Sequence, residues 1–147
     1  MTAKRTMLLV EDNESDVELT RRALERGQIE SDLIVVNDGE AALEYLFGQG
    51  VYHGRDISRT PAVVLLDLKL PRIPGFEVLR RIRDDERIKH LPVVILTPST
   101  ESSDLQSGYR LGANSYLSKP VDFQEFSESV KKICVYWLRM NRHPYER

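Results

Sequence analysis

Apolar residues fall into short runs separated by segments in which they recur every three or four positions. The run Val63 to Leu66 is four aliphatic residues in succession, then Asp67. Unbroken apolarity over that length suits a strand buried on both faces, as in the centre of a parallel sheet. Met7 to Val10 repeats the pattern and ends in Glu11-Asp12. Between them, Asn13 to Asp16 supplies capping side chains, and Val17, Thr20, Ala23 and Leu24 return at helical spacing until Gly27. Leu33 to Val36 predicts a second strand, and Asp38-Gly39 opens a helix carrying Ala42, Leu43, Leu46 and Phe47. The segment from Val51 to Thr60 is a polar, irregular connection, longer than usual between a helix and a strand.

Beyond Asp67 a Pro71/Pro74/Gly75 turn leads into a helix with Val78, Leu79 and Ile82 on one face. Pro92 to Thr97 predicts a fourth strand, Ser99 to Leu111 a Ser-rich helix, and Asn114 to Ser118 a fifth strand. Asp122 and Glu125 are spaced as a capping box for a last helix, whose apolar stripe is Phe123, Phe126, Val130, Ile133 and Trp137. Strands alternating with helices imply a parallel sheet covered on both faces, joined by right-handed crossovers. The expected architecture is α/β: a flavodoxin-like, doubly wound, five-stranded parallel sheet of order 2-1-3-4-5. With 147 residues and no linker, repeat or low-complexity tract, residues 1–147 form one domain.

Charge and cysteine content narrow the function classes. Lysine and arginine number 21 against 23 acidic residues, with no basic block, so neither nucleic acid nor an anionic membrane surface is an expected partner. The single Cys134 excludes an intrachain disulfide and fits a reducing compartment. The run after Arg5 is far shorter than the ~20 residues needed to span a bilayer. The expected location is the cytoplasm.

The chemistry follows from the strand ends. At the switch point of such a sheet the first and third strands are neighbours, which would gather Glu11, Asp12 and Asp67. Three carboxylates that close repel one another, and such a cluster normally holds a hard divalent cation, here expected to be Mg²⁺. Thr97 ends the fourth strand with a hydroxyl, and Lys119 follows the fifth with an ammonium suited to phosphate. Together these groups describe a phosphoryl-transfer site.

Four segments carry a family resemblance: Leu8 to Asp12, Leu65 to Pro71 with Gly75, Leu96-Thr97, and Tyr116 to Pro120. In that order, each at a predicted strand end, they resemble the receiver domains of two-component response regulators over nearly the whole chain. The resemblance implies that Asp67 is the phosphoacceptor and Asp12 a direct metal ligand. Glu11 would act mainly through metal-bound water, and the backbone carbonyl of Lys69 would complete the protein's share of the metal shell. Thr97 and Tyr116 look like the switch pair, and Lys119 like the phosphate-binding lysine. The implied partner is a sensor histidine kinase, and the only catalysis is Mg²⁺-dependent self-phosphorylation and autodephosphorylation.

Pro98, after the switch threonine, departs from the commoner small residue and removes a backbone N–H beside the phosphate site. Lys69 stands where aspartate phosphatases carry a second Asp, so a long-lived phosphoaspartate is expected, with the Lys69 side chain solvated. No output domain is expected after the last helix, so signalling would proceed by association. That helix runs on through Val135 to Met140 with apolar side chains around much of its circumference, which suits a homodimer involving the fourth helix, fifth strand and fifth helix. This terminal helix and the loop from Val51 to Thr60 resemble the single-domain regulators that accompany phytochrome-type histidine kinases.

Two alternatives of other classes are a flavodoxin-like cofactor binder and a receiver-like module that works without phosphate. The first is opposed by Glu11-Asp12-Asn13-Glu14, which would repel an anion where a flavin phosphate must sit. Elsewhere the simpler readings stand. His53, His90 and His143 are expected to be solvated, Arg80-Arg81-Ile82-Arg83 to straddle a solvated helix face, and Cys134 to pack in the core or an interface. A cis Lys119-Pro120 bond is expected to turn the lysine inward.

Overall fold

A computed structural model describes residues 5–144. Its strands are β1 (Arg5–Val10), β2 (Ser31–Val36), β3 (Val63–Leu66), β4 (Val93–Thr97) and β5 (Ser115–Ser118). They form one parallel sheet in the order β2-β1-β3-β4-β5, as expected. The helices are α1 (Glu14–Arg26), α2 (Gly39–Phe47), α3 (Gly75–Asp84), α4 (Ser102–Arg110) and α5 (Phe123–Val135), and a π-helical turn, Tyr136–Met140, extends α5.

Strand side chains alternate between two cores because successive Cβ atoms point to opposite faces. Leu8, Val10, Val64 and Leu66 meet α2 and α3. Met7, Leu9, Val63 and Leu65 meet α1 and α5, where Cys134 is also buried, its Sγ 3.8 Å from Met7 Sδ. Asn13 caps α1 by accepting from the Asp16 N–H at 3.1 Å, and Asp38 caps α2 by accepting from Ala41 at 2.7 Å. Asp122 caps α5 through Gln124 N–H at 3.0 Å, one residue short of the expected box with Glu125. The connection after α2 opens with a 3₁₀ turn, Gly50–Tyr52, and is pinned by Arg55. The Arg55 Nε donates to Tyr45 O at 2.6 Å while its guanidinium lies 4.1 Å from the Tyr45 ring centre.

Several expectations need correction. Phe123, the first residue of α5, leaves the stripe and is 71% exposed beside the first turns of α1, whereas Phe126, Val130 and Ile133 are buried. The helix expected from Ser99 begins only at Ser102. There the Ser99 hydroxyl accepts from Glu101 N–H at 3.3 Å and donates to Asp104 at 2.6 Å, a local arrangement that competes with helical bonding. His90 and His143 are not simply solvated: their rings meet edge to face at 5.1 Å, and His143 Nε2 lies 3.0 Å from the Thr60 hydroxyl. Arg83 is not on a solvated face either. It donates to the carbonyls of Gly112, Lys89 and Leu91 and to Asn114 Oδ1, at 2.7–2.9 Å. Among the described residues no helix is long and apolar enough to cross a membrane.

Candidate functional site at the carboxyl ends of the strands

Backbone hydrogen bonds bring the acidic strand ends together. Glu11 N–H continues the β1–β2 ladder by donating to Val36 O at 3.0 Å, and Asp67 N–H donates to Val10 O at 3.2 Å. Asp67 therefore stands beside the end of β1. Gly75, the first residue of α3, lets that helix pack against the end of β3, since a Cβ there would lie 2.3 Å from Asp67 O. On the other side Lys119 N–H donates to Thr97 O at 2.7 Å, which seats the lysine at the end of β4.

The carboxylates of Glu11, Asp12 and Asp67 offer oxygens that all lie within 4.8 Å of one another. Glu11 and Asp67 are buried, at 3% and 6% exposure, while Asp12 faces solvent. Lys119 points into the cluster, its Nζ donating to Glu11, to Asp16 Oδ2 at 2.7 Å and to Asp67 Oδ2 at 3.0 Å. Its inward aim comes from these three acceptors and not from a cis bond, for the described residues contain no cis peptide. Lys69 N–H donates to Asp67 Oδ1 at 3.3 Å, with the Lys69 side chain exposed.

Electrostatics here are dominated by burial. Loss of water pushes Glu11 up to about 7, against the lowering pull of Lys119. Burial also acts to lower Lys119, but its hydrogen bonds to Asp16 and Glu11 and the charge of Asp67 outweigh this and hold it above its ordinary value. One ammonium facing four carboxylates, counting Asp12, leaves the cluster strongly negative, a donor set of hard oxygens suited to a divalent cation.

Two hydroxyls complete the rim. Thr97 Oγ1 is fully buried without a hydrogen-bond partner, an unusual state for a side-chain hydroxyl. Tyr116 OH donates to Ser99 O at 3.2 Å, its ring packed where a Cβ on Gly108 of α4 would lie within 3.2 Å. All the residues singled out from sequence thus gather at one end of the sheet. Asp16, read only as a helix cap, was missed as a lysine partner. Its local role as a first-turn acid of α1 gave no separate signal of the contact.

The response regulator receiver domain model matches residues 7–131. The chain belongs to this receiver family. Probable methanogenesis regulatory protein FilR2 of Methanothrix harundinacea is 44% identical over 139 residues, 94% of this chain and 86% of that protein. Response regulator Rcp1 of Synechocystis is 37% identical over 134 residues, 91% of this receiver and 89% of Rcp1. Among solved structures, the phosphorylated cyanobacterial phytochrome response regulator RcpA superposes with a TM-score of 0.89 at 34% identity, covering 97% of this chain and 99% of RcpA. The Mn²⁺-bound form of Rcp1 gives 0.88 at 36% identity, with 95% and 99% covered. The receiver is therefore a two-component signalling domain close to phytochrome response regulators.

Proposed function

We propose that this receiver accepts a phosphoryl group on Asp67 from a phosphohistidine of a sensor histidine kinase, one of the phytochrome class. The observation that carries the reading is the meeting of Glu11, Asp12 and Asp67 within 4.8 Å, with Lys119 Nζ 3.0 Å from Asp67. An Asp67 carboxylate oxygen attacks phosphorus, the phosphorus–nitrogen bond breaks, and the imidazole leaves. Lys119 neutralises charge on the transferred oxygens as it develops. Glu11, Asp12, Asp67 and the Lys69 carbonyl would hold Mg²⁺, which when bound supplies further neutralisation of phosphoryl charge. That Rcp1 has a Mn²⁺-bound form supports divalent-metal binding.

Phosphorylation adds roughly −1.5 to −2 units of charge. The partnerless Thr97 hydroxyl gains an acceptor in a phosphoryl oxygen, and Tyr116 moves into the space it leaves. Tyr116 bridges β5 to the loop before α4, so the α4–β5–α5 face changes and can engage a target or a second copy. With Lys69 in place of a second Asp, hydrolysis of the acyl phosphate is slow. A flavin-binding role is disfavoured by the acidic turn after β1.

Mass measurement after incubation with a small phosphodonor and Mg²⁺ tests the reading. Wild type should gain one phosphoryl group, and neither chelated wild type nor Asp67→Asn should. Equal gain in Asp67→Asn would overturn the assignment.

A further inference from the structure

Lys119 has three carboxylate partners, and they differ in what phosphoryl transfer does to them. Glu11 and Asp67 belong to the set that can share a cation, with Asp12. Asp16 stands outside that set, yet its Oδ2 lies 2.7 Å from Lys119 Nζ. When a cation draws on Glu11 and Asp67, and when Asp67 becomes an acyl phosphate, those two oxygens are engaged elsewhere. Asp16 alone keeps its lone pairs for the lysine.

The Asp16 backbone is also firmly held. Its N–H donates to Asn13 Oδ1 at 3.1 Å, and its carbonyl accepts from the buried Thr20 hydroxyl at 2.9 Å. Its carboxylate is 20% exposed and lies in the first turn of α1, where a negative charge is favourable. A lysine side chain has four rotatable bonds and loses entropy when held in one direction. A fixed charge-assisted partner reduces that loss at the moment of transfer.

We propose that Asp16 is a positioning residue: it tethers Lys119 Nζ at the mouth of the acidic cluster and so aims the lysine's remaining N–H groups at the incoming phosphoryl oxygens. The inference rests on the phosphoacceptor reading of Asp67. It assigns Asp16 no contact with cation or phosphoryl group.

Two measurements test it. In the first, phosphoramidate is the donor at saturating Mg²⁺, and the phosphorylation rates of wild type and Asp16→Asn are compared. The expected result is a rate about tenfold lower in Asp16→Asn, the size of losing one charge-assisted bond. An unchanged rate overturns the inference. In the second, urea unfolding of the chelated protein is followed for wild type, Asp16→Asn, Lys119→Met and the double variant. The cost of Asp16→Asn should be about tenfold smaller in the unfolding constant when Lys119 is already absent. An equal cost in both backgrounds means that Asp16 merely stabilises α1, and overturns the inference. If wild type takes no phosphoryl group at all, the phosphoacceptor reading fails, while the unfolding cycle still judges the Asp16–Lys119 coupling on its own.

Discussion

The receiver carries two dense ionic clusters, and water separates their behaviour. On the outer face of α3, Glu77 accepts from Arg80 Nε at 2.9 Å and Arg81 Nε at 3.2 Å, and Arg80 also reaches Asp84 at 3.0 Å. These bonds, Arg80's first, hold Glu77 down to about 2. At the strand ends, Glu11 also meets a cation, yet burial lifts it to about 7. Pairing with a base sets the direction for the carboxylate in solvent, and burial overrides the same kind of pairing in the pocket. An ion pair on a wet helix nearly cancels against its hydration, whereas a buried excess of carboxylates stores an affinity for whatever positive or phosphoryl group can enter.

The contrast is broken most severely by removing the buried ammonium. Lys119→Met should destabilise the chelated protein by about 3 kcal/mol, as expected when one partner of a buried pair is deleted, measured by urea unfolding. Next in size is the cation itself. Mg²⁺ at about one hundred times its Kd should stabilise wild type by about 2.7 kcal/mol, and Asp12→Asn should lose most of that gain at the same concentration. Smallest is Glu77→Gln, which should lower the unfolding midpoint at neutral pH only slightly, because solvent screens an exposed pair. Because the folded value of Glu77 lies below its ordinary 4.5, its stabilising contribution is present above pH 4.5 and fades as pH falls toward 2. Glu77→Gln should flatten that acid limb, as read from unfolding midpoints across the range.

The strands and their order were legible because each of three apolar runs ends in a polar group at the same end of the sheet, Glu11, Asp67 and Thr97, and the fifth strand is followed at once by Lys119. The helix faces on α2 and α3 were equally plain. Side chains whose polarity suggested solvent were harder to read. Arg83, His90 and His143 carry ionisable groups, and only tertiary packing places them against carbonyls, a ring and a hydroxyl. Phe123 failed in the opposite sense, since periodicity gives the angle around a helix but not whether its first turn has anything packed over it. Asp16 was hidden by its local role, for a first-turn acid is already explained by the helix it begins.

The Arg83 clasp sets how α4 can shift. Just past the carboxyl end of that helix, the guanidinium holds Gly112 and Asn114. The amino end of α4 hangs from Ser99, through the Asp104 carboxylate and the Tyr116 and Ser118 hydroxyls. Of the helix itself only Gly108 is fully buried. Were the loop after Thr97 displaced, these bonds would make α4 a lever pivoting at its Arg83-held end, with the widest arc at the end that hangs from Ser99.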